Sequence, residues 1–258
     1  MPDEFHNFQP RLLPETCKLK TYPSSEYFIG TDINVYYDGR HPHWHERPDW
    51  FLSLEVTIAS RQEDMRWYAL WEEGLGPFLI VELLSPGTQE QDLESKVREL
   101  GKPPGKWEVY EQFLRVPFYV MFDRYQNEFR VFTLNGGRYR QENLGDEPRV
   151  WFDELELGLG VWQGVYQGFE GKWLRWYEAS GEWVPTDAEA RHLAETETQT
   201  ERSARHLAET QVDSERSARI EAEAKLTAAI VPLIGLGLTV EQIANSLGLT
   251  VERVNQEL

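Results

Sequence analysis

Phe78-Leu79-Ile80-Val81-Glu82-Leu83-Leu84 is apolar at every position except Glu82, and Ser85-Pro86-Gly87 ends the run. Such a stretch reads as a strand covered on both faces, where an unpaired carboxylate costs several kcal/mol. Its compensation is either a buried basic partner, a pair only weakly stabilising once desolvation is counted, or a metal ion. A second acid stands at Pro48-Asp49, opening the run Trp50-Phe51-Leu52-Ser53-Leu54. Asp49 either begins a strand after a proline and does nothing more, or meets Glu82 at one edge of a sheet if the two strands are neighbours.

The remaining segments suggest a mixed-sheet α/β (α+β) domain. Residues 1–30 carry prolines at Pro2, Pro10, Pro14 and Pro23 without an apolar period, and read as an irregular arm with room for one short helix. Residues 31–186 follow as strands, a helix, a strand and a hairpin. Ile33–Tyr37 is strand-like with an Asp38-Gly39 turn. Thr88 with Gln91 makes a capping-box pattern for a helix to about Leu100, and Gly101-Lys102-Pro103-Pro104-Gly105 breaks it. A second helical stretch, Trp107–Leu114, leads to the strand-like Pro117–Asp123. Phe129–Leu134 and Arg138–Gln141 flank Asn135-Gly136-Gly137, a strong hairpin signal. Trp162–Trp183, rich in glycine and tryptophan, closes over one side of the domain.

From Asp187 the composition changes. Arg191-His192-Leu193-Ala194-Glu195-Thr196 recurs as Arg205–Thr210, a displacement of 14 residues, or two heptads. Residues 187–230 therefore read as a long helix, either a coiled coil joining two copies or a solvated helix, since its stripe of Ala190, Leu193, Ala204, Leu207 and Ala218 is thin. Residues 231–258 resemble a small helix-turn-helix. Arg253 stands there against Glu252 and Glu257, which favours packing or protein contact over reading a major groove.

The formal net charge is −18, with 13 acids against 7 bases from Asp187 onward and 31 against 19 before it. That balance excludes a broad phosphate-binding surface, because nucleic-acid affinity rests on Lys and Arg displacing counterions, and it confines any such contact to a local site. Cys17 is the single cysteine, so no intrachain disulfide forms. The longest apolar stretch, Ala228–Leu238, is interrupted by Pro232 and too short to span a bilayer. No signal-peptide pattern opens the chain, and the expected location is the cytoplasm.

Tyr36-Tyr37-Asp38-Gly39, Arg47-Pro48-Asp49, Trp71-Glu72-Glu73-Gly74 with Pro77, Val81–Thr88, Asp92 with Lys96, and Val116–Tyr119 with Phe122-Asp123 fall in the order of one known pattern. Over residues 22 to 185 the chain resembles the Uma family of bacterial endonuclease-like proteins, a branch of the restriction-endonuclease-like, PD-(D/E)XK fold. The acidic helical tail is similar to that of members common in cyanobacteria. The resemblance implies a metal-dependent DNA endonuclease with Asp49 and Glu82 binding Mg²⁺ or Mn²⁺ and the Leu83 carbonyl as third ligand. The lysine of the parent motif, two residues past the glutamate, is replaced by Leu84. In the resembled family it sits on the next helix, which implies Lys96, with Asp92 one turn earlier as partner or extra ligand.

Cleaving a phosphodiester calls for these residue types. A divalent cation neutralises phosphate oxygens and acidifies water, and a nearby lysine stabilises developing charge. Asp92 and Lys96 at i and i+4 share a helix face, and on spacing alone they equally describe a surface ion pair. His41-Pro42-His43-Trp44-His45 offers three histidines, with neither cysteines nor a distant histidine pair to complete a zinc site. His6, His192 and His206 look incidental. Trp162, Trp173, Trp176 and Trp183 with Tyr166 and Tyr177 form either a base-stacking platform or a core, and the lack of surrounding bases favours the core. The rival function is an interaction protein, a nuclease-like domain without chemistry whose tail dimerises or recruits a partner. The net charge of −18 favours it.

Overall fold

The computed structural model describes residues 4–56, 67–85 and 103–257. It divides into two compact units, Met1–Ala188 and Glu189–Leu258. In the first, the strands are β1 (Tyr27–Thr31), β2 (Asn34–Tyr36), β3 (His45–Glu46), β4 (Trp50–Leu54), β5 (Trp67–Ala69) and β6 (Leu79–Leu83), followed by β7 (Phe118–Asp123), β8 (Glu128–Asn135), β9 (Arg138–Gln141), β10 (Arg149–Phe152), β11 (Leu157–Tyr166) and β12 (Phe169–Tyr177). Its helices are α1 (Glu4–Thr16), the short α2 (Leu70–Glu73), and α3 (Lys106–Glu108), which runs on as a π-helical turn, Val109–Phe113.

A mixed six-stranded sheet in the order β1-β4-β6-β7-β8-β9 forms the centre, with β6 and β7 parallel and the other neighbours antiparallel. All five residues of β4 and all five of β6 are buried, because both faces of the sheet are covered. Alternation sends Trp50, Leu52, Val81, Leu83, Val120 and Phe122 into a core shared with α1 and β12. Phe51, Ile80, Tyr119 and Met121 point the other way, into a core with Tyr110 of the π turn. Smaller sheets, β10-β11-β12 and β3-β2-β5, complete the unit.

The Asn135 hairpin forms as expected, Asn135 facing Arg138 across Gly136 and Gly137, both at positive φ. The tryptophan-rich segment is the β11–β12 hairpin, with Trp173 and Trp176 buried in the first core. The one helix allowed for within residues 1–30 is Glu4–Thr16. It forms despite Pro10 and Pro14 within it, and Phe5, Leu12 and Leu13 enter the core. Gln9, fully buried, fastens it to β12 through both its amide atoms. Its amide Nε2 donates to the Leu174 carbonyl at 2.8 Å, and Oε1 accepts from the Leu174 N–H at 2.7 Å. The helix expected between Thr88 and Leu100, with Asp92 and Lys96, lies outside the described residues.

The second unit contains most of α4 (Asp187–Gly235), then α5 (Val240–Leu247) and α6 (Val251–Gln256). The long helix runs a turn past the expected end at residue 230. Ile230, Ile243, Ala244 and Val254 make a small core. Thr239 and Gln242 form a full capping box at the start of α5, and Thr250 caps α6.

Candidate active site

Antiparallel pairing of Trp50 with Val81 brings the start of β4 beside the end of β6, so Asp49 and Glu82 meet at one end of the central sheet. One oxygen of Asp49, Oδ2, accepts from the Leu83 N–H at 2.7 Å, which fixes the carboxyl against β6. The Glu82 side chain is also within hydrogen-bonding range of Asp49. Glu82 is only 3% exposed, and each of its oxygens has a partner: Tyr110 donates its hydroxyl to Oε1 at 2.7 Å, and the Lys106 ammonium lies 3.0 Å from Oε2.

Burial pushes the Asp49 carboxyl above its ordinary value. The Leu83 N–H, the positive charge of Lys106, His6 and the contact with Glu82 all oppose that rise. Burial and the Glu82 carboxylate drive the Tyr110 phenol well upward, so it remains a donor. On the far side of β6, His6 of α1 brings Nε2 within 3.2 Å of the Leu83 carbonyl.

Of the residues expected at the site, the structure thus brings together Asp49, Glu82 and Leu83. Asp92 and Lys96 fall outside the described residues. Lys106, Tyr110 and His6 were not singled out by sequence reasoning. A signal existed for the first two: they are four residues apart on one helical turn, and Lys106 opens a helix at the end where the backbone dipole disfavours a cation, which calls for an anion nearby. His6 gave no such signal, because its helix was hidden by prolines.

The three clustered histidines go elsewhere. His41 Nδ1 is 2.8 Å from Asp38 Oδ2 and its ring stacks on Trp44 at 3.8 Å, while His45 turns to the His43 carbonyl. Among the described residues no three His, Cys, Asp or Glu side chains form a group that would hold a metal. The donor set at Asp49, Glu82 and the Leu83 carbonyl is nevertheless all oxygen, the kind a hard divalent cation takes with water filling the remaining positions. Two carboxyls in contact also need positive charge to offset their repulsion, and the single Lys106 ammonium beside Glu82 balances one of the two. The residues present therefore fit such an ion.

No helix among the described residues is long and apolar enough to cross a membrane. No curated protein matches the chain. A family model, Uma2, with the description "Putative restriction endonuclease", matches residues 3–165. That span takes in α1, which supplies His6, as well as β4, β6 and the helical turn of Lys106 and Tyr110. By this match, over more than half its length, the chain belongs to the Uma2 family of restriction-endonuclease-like proteins.

Proposed function

We propose that the first unit is a DNA endonuclease that hydrolyses phosphodiester bonds with Mg²⁺ or Mn²⁺. The observation that carries the reading is the Asp49–Glu82 pair, Glu82 buried and Asp49 half-buried, with Lys106 at 3.0 Å from Glu82. Asp49 and Glu82 hold the ion, with the Leu83 carbonyl as third protein oxygen. When bound, the ion offsets charge on the phosphate and acidifies an attacking water. Lys106 has the charge and placement to steady the phosphate in the transition state or to hold the attacking water. Tyr110 keeps Glu82 in one orientation by donating to its Oε1. His6 braces the strand end at the Leu83 carbonyl. Asp92 and Lys96 remain candidates for a second contribution, from the segment between β6 and α3.

Nicking of supercoiled plasmid by the full chain in Mg²⁺, Mn²⁺ and EDTA tests this. Glu82→Gln is expected to lower nicking by at least about a hundredfold while leaving the protein folded by circular dichroism. Lys106→Ala is expected to lose a similar amount and Lys96→Ala much less. Equal nicking by Glu82→Gln and wild type would remove the assignment. The reverse order of the two lysine variants would return the catalytic role to Lys96.

The second reading is a nuclease-like interaction protein, and one observation favours it beyond net charge: both Glu82 oxygens already have protein partners. A folded wild type that neither nicks DNA nor binds Mn²⁺ calorimetrically would select it. Light scattering would then ask whether residues 187–230 pair two copies.

A further inference from the structure

A cavity of about 420 Å³ opens between α1 and β12, on the face of the central sheet opposite the Tyr110 core. Its walls are Phe5 and Phe8 of α1, Arg124 after β7, and Phe169 and Lys172 of β12, with Glu4 and Glu170 also lining it. Phe5 joins it to the site. Its ring meets the His6 ring edge-on at 5.6 Å, and His6 reaches the Leu83 carbonyl. Leu83 pairs with Phe122, two residues before Arg124.

Turns and ring contacts set the parts in place. Phe169 begins β12 directly after Gln167 and Gly168, both at positive φ, a two-residue turn that sets it opposite Tyr166. It lies against Phe8 at 5.3 Å yet stays 42% exposed, an apolar face offered to the cavity. Arg124 leaves a turn closed by the buried Asp123, whose Oδ1 accepts from the N–H groups of Tyr125 and Gln126. Its guanidinium lies 4.8 Å from the Phe5 ring centre. The volume is within the usual range for a small ligand, and the lining joins an aromatic face to two cations. The two acids balance those cations in formal charge, so any phosphate contact there rests on the local placement of Arg124 and Lys172 and does not extend to a run of phosphates.

We propose that this cavity is a subsite for one unstacked nucleotide of the bound strand, its base against Phe169 and its phosphate beside Arg124 and Lys172. The proposal rests on the nuclease reading for the identity of the strand. A base inside a duplex shows its faces only to its neighbours, so the subsite selects single-stranded, frayed or flapped DNA next to the cleavage point. It also gives a chain of net charge −18 a local means of holding a strand.

The test is fluorescence anisotropy of a short fluorescein-labelled oligothymidylate with the full chain carrying Glu82→Gln, in EDTA, where the proposed cleavage cannot occur. Adding Phe169→Ala should weaken binding about tenfold, the scale of one lost base–aromatic stack, and Phe169→Tyr should restore it. Adding Lys172→Glu should flatten the logarithmic dependence of affinity on salt by about 0.7, the share of one single-strand phosphate. A duplex of the same length should bind more weakly than the single strand. Unchanged affinity in Phe169→Ala, an unchanged salt slope in Lys172→Glu, or no binding by the parent would each overturn the proposal. Plasmid nicking by wild type separates the two ideas. Nicking with Phe169-independent binding leaves the nuclease standing and the subsite wrong, whereas Phe169-dependent binding without nicking does the reverse.

Discussion

Asp49 and Glu82 sit side by side, but their surroundings treat them differently. Glu82 has an ammonium and a phenol on its two oxygens, while Asp49 has one backbone N–H and a raised pKa caused chiefly by burial. A carboxyl whose folded pKa lies above its unfolded value binds protons more tightly when folded. Its ionised form therefore weakens the fold at neutral pH, and that loss is relieved as pH falls through the folded value to below the ordinary 3.8. Asp49→Asn should accordingly melt higher than wild type in EDTA near neutrality, with the gap closing in acid. Added Mg²⁺ should raise the wild-type midpoint and leave that of Asp49→Asn in place, because only a state that binds the ion gains from it. Thermal denaturation with and without metal checks both, and a lower midpoint for Asp49→Asn would mean that its charge supports the fold. This pair was legible in the sequence because a carboxylate in an apolar strand is anomalous wherever the rest of the chain goes. Lys106 was less so, since its partner stands 24 positions earlier and only the sheet brings them together.

At the scale of elements, α1 shows how a helix can form against its local signals. Pro10 and Pro14 each remove a backbone donor, and the segment still forms because Phe5, Leu12 and Leu13 are buried and Gln9 completes the hydrogen bonding of Leu174, 165 residues away. Gln9→Ala leaves the N–H and carbonyl of Leu174 buried without those bonds. It should cost about 2–6 kcal/mol in urea unfolding, the sum expected for two such groups. If α1 is what aims His6 at the Leu83 carbonyl, the same variant should lose nicking activity at urea concentrations where β6 and its neighbours are still folded. A change below about 0.5 kcal/mol would mean water replaces the amide and that apolar burial alone holds the helix. The Asn135-Gly136-Gly137 hairpin is the opposite case, legible from three residues because positive φ at both glycines is a local demand. What the sequence concealed was the element whose stability is supplied almost wholly from the other end of the domain.

Across the whole molecule, the aromatic residues and the acidic helix divide the chain into parts with unequal sources of stability. All ten tryptophans and all eleven tyrosines lie before residue 189, where two cores line the central sheet. Among the described residues, the second unit has four buried ones at its end and a long exposed helix. Along that helix Arg205–Glu209, Arg219–Glu223 and Glu221–Lys225 pair at 3.0, 3.2 and 2.6 Å, exposed contacts worth only about 0.3–0.5 kcal/mol each. Heating should therefore remove helical signal in far-ultraviolet circular dichroism before tryptophan fluorescence changes, since fluorescence reports the first unit alone. Ile243→Ala, which empties the small core at a cost of about 2–5 kcal/mol, should lower the first transition and leave the fluorescence transition where it was. The exposed Leu193, Leu207, Val212 and Ile220 decide the remaining question. If they pair two copies, the first midpoint rises with protein concentration; if the helix stays solvated, it does not. Coincident transitions by both probes at every concentration would instead mean that the two units unfold as one, and that the long helix draws its stability from the nuclease-like unit.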